Sequence, residues 1–408
     1  MSLVTGMRSN NKEPAGVVVT GGVTPNSLGI VRSFGRRGIP VVYLDSGPRS
    51  IVSYSRYIKQ RIKCPSADES EDEFIRVLLD FGGRIDNKMV LICTLDGDVL
   101  ALSRHKRELE QFYYVPMPEF DTVEKLVYKR NFYRLLAEMG IPHPKTWFPQ
   151  NLDQVRVMGR EIAYPYIVKP SYSPTFQWKF GLKCFVVNST QDLGRAVDRL
   201  EGRGIDVVIQ EIIPGRGVYE FFTYLPGESE PLGVCGWDKI RYYPTDFGSG
   251  TFCESVWHRE AVERGLQFLK AIGYCGMASV ELKKDPRDGE YKLLEVNARV
   301  TLQHRLAAAC GVDIPYIAYR DACGYDVPDI AAPSSGVIWV DDFVDLLPFL
   351  THIKRREVGI GEIVKSLKPG KVHSVLAWDD PAPVIVRAVK SGMSALRLLR
   401  RRYTGSAS

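Results

Sequence analysis

The chain has 408 residues, 45% of them hydrophobic and 25% charged, which suits a globular protein of two or three domains with ample core. Its formal charge of +6 is mild and gathers toward one end, where the segment from Arg387 to Arg402 holds Lys390, Arg397, Arg400 and Arg401 with almost no acid, so no general nucleic-acid footprint is indicated. Eight cysteines are scattered singly without C-x-x-C spacing, no apolar run is long enough to span a membrane, and the polar N-terminus lacks a signal-peptide core; the expectation is a soluble cytoplasmic protein with reduced thiols.

The first 120 residues alternate strand and helix. Residues 16–20 (GVVVT) read as a buried strand, residues 21–27 as a turn, the following stretch as a helix to Arg37, and residues 39–44 as a second strand. A helix from about Ser70 leads to a third strand at 89–93, and 96–109 reads as another helix. This rhythm predicts a doubly wound parallel sheet, with ligand positions at the carboxyl ends of its strands: 21–27, Asp45–Ser46 and Thr94–Asp98. Gly21, Gly22 and Gly29 do not make G-x-G-x-x-G, so a nicotinamide site ranks below a substrate-binding or structural role.

Asp121 reads as an N-cap with Glu124 completing a capping box, opening one helix that runs to Met139 before Gly140 stops it. From there to about Gly324 the pattern becomes mixed α+β, which sets domain boundaries at 1–120, 121–325 and 326–408. The last of these begins with a linker-like run at 331–336, carries Asp341-Asp342 and ends in the basic tail, whose final residues read as disordered.

Several residues in the middle of the chain could handle a nucleotide. Lys129 lies in the helix opened by Asp121 and taken singly reads as solvated, whereas Lys169 ends the buried strand 166–170, where its ammonium can serve phosphate oxygens as a point charge. The polar segment from Ser171 to Trp178 reads as a loop between two strands, poor in glycine. Gln210, Glu211, Ile212 and Ile213 follow an apolar strand and precede Pro214-Gly215; they fit an adenine-binding strand edge or a plain strand with one polar pair. Lys239 and Arg241 are expected on one strand face.

The segments 276–284 and 290–297, joined by Asp285-Pro286-Arg287-Asp288-Gly289, read as a hairpin. If Lys284 lies opposite Glu290, Glu281 faces Leu293 and is the diagonal neighbour of Glu295, which shares a face with Asn297. Alone this is an amphipathic hairpin with a solvated face; as a converging set, two carboxylates and an amide oxygen suit Mg²⁺ when phosphates complete its coordination. Arg299, just past the strand, could meet a phosphate or carboxylate. His258 and His304 are isolated, and no nucleophile elbow or triad appears.

The ordered set of helix lysine, strand-end lysine, Q-E-I-I-P-G, K-I-R, V-E-L-K and L-L-E-V-N-A-R resembles the ATP-grasp superfamily, and within it the carboxylate–amine ligases related to D-aspartate ligase and the carbamoyl-phosphate synthase large subunit. The resemblance spans about Gly16 to Gly324 and implies a pre-ATP-grasp sheet followed by two α+β subdomains that grasp ATP. It implies that Lys129 and Lys169 hold the α- and β-phosphates, that residues 210–213 line the adenine pocket, and that Glu281, Glu295 and Asn297 bind Mg²⁺, with Mn²⁺ as a substitute. Arg241 and Arg299 would face the γ-phosphate and an acyl phosphate, with Lys239 beside them. An acid for the ribose is expected soon after the Pro-Gly turn, where this chain offers Glu220, displaced along Gly217-Val218-Tyr219-Glu220.

The implied activity is ATP-dependent amide formation from a carboxylate and an amine, amino acids foremost, through an acyl phosphate, with release of ADP and phosphate. The alternatives are an ATP-grasp carboxylase, a ligase with a non-amine acceptor, and a nucleotide-binding scaffold that no longer catalyses. Substrate choice is expected near Asn26, Ser46, Asp96, Asp98, Gln303 and His304; homo-oligomerisation is compatible with this reading, and a solvated basic tail is preferred to one that touches a membrane.

Overall fold

The computed structural model describes residues 15–392 except 23, 24, 48, 49, 228, 246 and 331. The expected turn at 21–27, the linker at 331–336 and the basic tail therefore fall partly or wholly outside the described residues. The N-terminal unit contains β1 (Val17–Val19), α1 (Pro25–Arg36), β2 (Val41–Asp45), β3 (Gln60–Lys63), α2 (Glu71–Gly82), β4 (Met89–Ile92), α3 (Asp96–Arg104), α4 (Lys106–Leu109) and β5 (Tyr113–Tyr114). Its five strands are all parallel in the order β3-β2-β1-β4-β5. The sequence reading lacks β3, an edge strand of polar, largely exposed residues with no buried stripe to announce it, and β5, which has two residues.

In this order the chain reverses direction across the sheet between β1 and β4, so the loops after these strands diverge and leave a crevice. Gly21 makes the approach there possible: its φ is +118°, and a Cβ on it would stand 1.9 Å from Thr94 Oγ1.

Next come α5 (Phe120–Val127) and α6 (Lys129–Glu138), two helices where one was expected. Tyr128 breaks them: it is extended, forms a bridge with Tyr172, and hands the chain to Lys129, whose N–H bonds Ser171 O at 2.8 Å. Asp121 is not the cap either; the helix starts from Glu119, and Asp121 lies in its first turn.

A four-stranded antiparallel sheet in the order β6-β9-β7-β8 follows, made of β6 (Thr146–Trp147), β7 (Tyr166–Pro170), β8 (Phe185–Val187) and β9 (Val207–Glu211), with α7 (Leu152–Glu161), α8 (Pro174–Phe180) and α9 (Thr190–Leu200) between them. The segment expected as a polar loop is thus largely α8, started by Pro174, whose fixed φ and missing N–H suit a first helical position, and ended by Gly181 in the left-handed conformation. This sheet has its own core, including Val155, Tyr166, Val168, Leu193 and Ile209.

The larger sheet contains β10 (Val218–Leu225), β11 (Gly233–Tyr243), β12 (Ser249–Ser255), β13 (Gly276–Lys284), β14 (Tyr291–Asn297), β15 (Ile338–Val340) and β16 (Val372–His373), in the order β14-β13-β10-β11-β12-β15-β16. All pairs are antiparallel except the last, so residues after 325 continue this sheet. The helices here are α10 (Arg259–Ala271), α11 (His304–Ala309), α12 (Ile314–Ala322), α13 (Leu346–Lys354) and α14 (Ile360–Leu367). Two shared cores weld this sheet to the parallel one: Val18 and Leu91 join Phe132, Val280 and Leu293, while Val17 and Val90 join Trp237, Met277 and Trp339. Complete burial of each such aliphatic side chain contributes about 1.5–3 kcal/mol. The chain is α/β in its N-terminal sheet and α+β in the two sheets that follow, as expected.

Candidate active site

A cavity of about 480 Å³ lies where the three sheets meet. The parallel sheet contributes Asn26, Thr94 and Asp96 from its crevice, the four-stranded sheet contributes Lys169, Gln210 and Glu211, and the larger sheet contributes Glu220, Lys239, Glu281, Glu295 and Asn297.

The hairpin β13–β14 forms with nearly the expected bounds but in a different register. Lys284 faces Tyr291, and a bulge at Leu294 takes up one residue, so Glu281 lies directly opposite Glu295 and Ser279 opposite Asn297. This replaces the expected diagonal relation by a direct one, and the oxygen donors share a face. The loop is set by Asp285, fully buried, which pairs with Arg287 and with Lys292 at 2.9 Å.

Each carboxylate has a different cation. Lys129 Nζ meets Glu295 Oε1 at 2.8 Å, whereas Lys239 Nζ bridges Glu281 Oε1 at 2.6 Å and Glu220 Oε2 at 2.8 Å. Burial alone would raise the pKa of Glu295, but Lys129 and Lys183 outweigh it and hold the carboxyl well below its ordinary range. For Glu281 burial wins over Lys239 and shifts the pKa upward, with Glu220 and Glu295 adding like charge. Burial likewise opposes the charge of Lys239, but its two carboxylate partners prevail and raise it.

Lys169 ends β7 as expected and donates to Gln210 Oε1 at 2.7 Å and Tyr133 Oη at 3.0 Å. Protein atoms surround its ammonium although it keeps a surface on the cavity, and this burial, with the Lys129 charge beside it, lowers its pKa to about 7. Gln210 is buried and its Nε2 donates to Thr146 Oγ1 at 2.8 Å; Glu211 accepts the Lys145 N–H at 2.8 Å and pairs with Arg287 at 2.9 Å. Ile212 and Ile213 line the same wall. Arg299 extends from the end of β14 to Asp96, with Nε–Oδ1 at 2.6 Å, and also donates to Asn297 Oδ1 at 3.2 Å, tying the hairpin to the parallel-sheet crevice.

One expectation is corrected. Arg241 does not line the cavity: β11 is irregular between Lys239 and Arg241, so the two lysine and arginine side chains part, and the guanidinium is locked onto Asp345, Glu362 and Ser366 of the C-terminal helices. Glu220 lines the cavity, with its oxygens engaged by Lys239, Ser279 and Trp237 Nε1, and it pairs across the sheet with Glu281. Of the expected substrate-side residues, Asn26, Asp96 and Gln303 line the cavity, whereas Asp98 is buried against Thr20 and His304 against Asn26 O. Ser46 is not part of the lining.

The sequence reading lacks Lys183, which lines the cavity between α8 and β8. Burial lowers its pKa, and Glu295 and Glu281 are the charges that oppose this. Its signal was the one recognised for Lys169, a lysine at the edge of an apolar strand. Tyr133, whose hydroxyl donates to Leu294 O at 2.5 Å, is also absent from the sequence reading.

Cations on one side and carboxylates on the other suit a polyphosphate with a divalent cation. Glu281, Glu295 and Asn297 offer hard oxygens on one face, which fits Mg²⁺. Among the described residues no group of three or more His, Cys, Asp or Glu could hold a metal ion, so phosphate oxygens would have to complete the set.

Residues 254–330 match the family "Carbamoyl-phosphate synthase L chain, ATP binding domain". The chain is also 26% identical over 226 residues to D-aspartate ligase of Enterococcus faecium, covering 52% of this chain and 53% of that one. It is 23% identical over 319 residues to the carbamoyl phosphate synthase large chain of Mycobacterium tuberculosis, covering 73% of this chain and 27% of that one. The chain is similar to proteins of the ATP-grasp superfamily. Its fold is shared with the ADP complex of N5-carboxyaminoimidazole ribonucleotide synthetase, at a TM-score of 0.63 and 15% identity over 84% of this chain and 86% of that one. L-amino acid ligase from Bacillus licheniformis follows with a TM-score of 0.59 and 16% identity, over 76% and 75%. The chain spans about half the length of D-aspartate ligase and about a quarter of the carbamoyl phosphate synthase large chain.

Proposed function

We propose that this protein is an ATP-dependent carboxylate–amine ligase that joins two small substrates, amino acids foremost, by an amide bond through an acyl phosphate. The observation that carries the reading is the direct opposition of Glu281 and Glu295 across β13–β14, with Asn297 beside them and Lys129, Lys169 and Lys183 in the same cavity. The similarity to D-aspartate ligase supports an amine acceptor. The solved structures alone do not choose, because a biotin carboxylase domain from Hydrogenobacter thermophilus in complex with MgADP has a comparable TM-score of 0.60 at 16% identity, over 80% of this chain and 74% of that one.

In the proposed reaction the substrate carboxylate oxygen attacks the γ-phosphorus of ATP, the bond to the β-phosphate oxygen breaks, and ADP leaves. The amine then attacks the acyl carbon, expels phosphate and loses a proton. Lys129, Lys169 and Lys183 would hold phosphate oxygens and offset their charge, since phosphoryl transfer depends mainly on position and neutralisation. Glu281, Glu295 and Asn297 would hold Mg²⁺ or Mn²⁺, which would polarise the transferred phosphoryl group. Arg299, already aimed at the crevice by Asp96, would face the acyl phosphate. For the carboxylates to take the metal, Lys129 must release Glu295 and Lys239 must release Glu281, so these two ion pairs would be exchanged on binding.

A screen for ADP release across paired amino acids with Mg²⁺, followed by mass spectrometry, tests the proposal. ADP that requires both partners, with a product equal to their summed mass less one water, is expected. ADP formed with bicarbonate as the sole carboxyl source would overturn it in favour of a carboxylase.

A further inference from the structure

The two helices that clamp Arg241 are turned inside out. On α14 the polar side chains face the protein: Glu362 and Ser366 bind Arg241, and Lys365 binds Glu254 on β12. Its apolar residues Ile360, Ile363, Val364 and Leu367 face solvent, with Ile360 83% and Leu367 78% exposed. The preceding α13 does the same in part, burying Pro348 and His352 while exposing Leu346, Leu347, Leu350 and Ile353. Amphipathic helices ordinarily bury their apolar stripe, and an apolar face of this extent on adjacent helices marks an interaction surface.

Charge selects the occupant. The acids of this region are engaged by basic side chains: Asp345 and Glu362 are turned inward onto Arg241, Asp342 pairs with His373, and Glu357, though exposed, pairs with His352. The exposed ends of the helices are basic, with Lys354 closing α13, Arg356 just after it and Lys368 after α14. The sequence beyond residue 383 adds Arg387, Lys390, Arg397 and Arg400 to Arg402 without one acid. Apolar side chains rimmed by cations, with carboxylates engaged, complement an anionic lipid surface, where the stripe enters the acyl boundary and the ammonium and guanidinium groups meet phosphate headgroups.

We infer that α13 and α14 form a peripheral docking surface for anionic membranes. On the exposed rim Lys354, Arg356 and Lys368 outnumber the one exposed acid, Glu357, which is tied to His352, and the opposite charge of the bilayer supplies the complement. No helix among the described residues is long and apolar enough to cross a membrane, so the contact is lateral.

Flotation of the full chain with phosphatidylglycerol/phosphatidylcholine vesicles, and with phosphatidylcholine alone, tests this. Binding to the mixed vesicles that weakens with salt and falls about tenfold or more in the Ile360→Glu, Leu367→Glu double variant is expected. Both positions are exposed, so the variant should fold, which its circular dichroism and cavity-dependent nucleotide binding would verify. The basic tail is intact in this variant; undiminished binding would overturn the inference by assigning the contact to the tail. Failure to bind either vesicle, or a wild-type dimer in light scattering that the double variant dissociates, would overturn it in favour of a protein partner or a second copy.

Discussion

Glu281 and Glu295 face one another across β13 and β14, yet one is held by Lys239 from within the same sheet and the other by Lys129 from a helix of a different layer. The proposed metal site is therefore also a contact between layers, and phosphate binding would exchange these ion pairs for new ones. Glu295→Gln keeps the shape and one amide oxygen but removes the charge facing three lysines. It should lower substrate-dependent ADP formation by about 10²-fold or more, measured by coupled ADP assay, with the far-ultraviolet circular dichroism of the wild type.

Lys169 predicts a proton linkage. Its pKa falls from an ordinary 10.5 to about 7 through burial and the Lys129 charge, so the folded chain holds fewer protons on this group than the unfolded chain between these limits. Stability should therefore rise with pH through that window, and the cost of keeping the ammonium buried should be full below pH 7. A bound polyphosphate would restore the charge, so nucleotide binding near pH 8 should take up about one proton. Titration calorimetry in two buffers of different ionisation enthalpy would measure it, and Lys169→Met should abolish the uptake.

Lys183 should act on nucleotide binding and not on folding. It lines the cavity between α8 and β8, with Glu295 and Glu281 as the charges that favour its ammonium. Lys183→Met is expected to raise the KM for ATP about tenfold, or ~1.4 kcal/mol, while leaving the denaturation midpoint within error of the wild type.

Arg241 should behave in the opposite way. Its guanidinium is 1% exposed and bound to Asp345, with Phe252 3.9 Å and Phe349 4.9 Å from it at their ring centres. Arg241→Met leaves Asp345 without its cation and should cost about 3 kcal/mol of stability, read by urea denaturation, with the KM for ATP unchanged. Adding Asp345→Asn should recover part of the loss.

Much of the fold was legible because its strands are short apolar runs bounded by turn residues: residues 276–284 were expected as β13 and form it, and the β1, β2 and β4 positions agree within two residues. What escaped depends on distant partners. The break at Tyr128 follows from its bridge to Tyr172, 44 positions away by sequence numbering (172 − 128), and no local pattern marks it. The parting of Lys239 and Arg241 comes from an irregularity in the pairing with β12, and the bulge at Leu294 shifted a register that loop length alone had set differently. Lys129, Lys169 and Lys239 were visible singly while Lys183 was missed, and their convergence on the carboxylates required the three sheets to meet.

Transfer of oxygen from substrate to phosphate addresses the proposed acyl phosphate most directly. With the amino-acid pair selected by ADP release, the carboxylate substrate would be labelled in both oxygens with the heavy isotope, and the released phosphate analysed by mass spectrometry. An acyl-phosphate ligase places one labelled oxygen in each phosphate formed. Unlabelled phosphate accompanying ADP, with both labelled oxygens still in the carboxyl group, would contradict it.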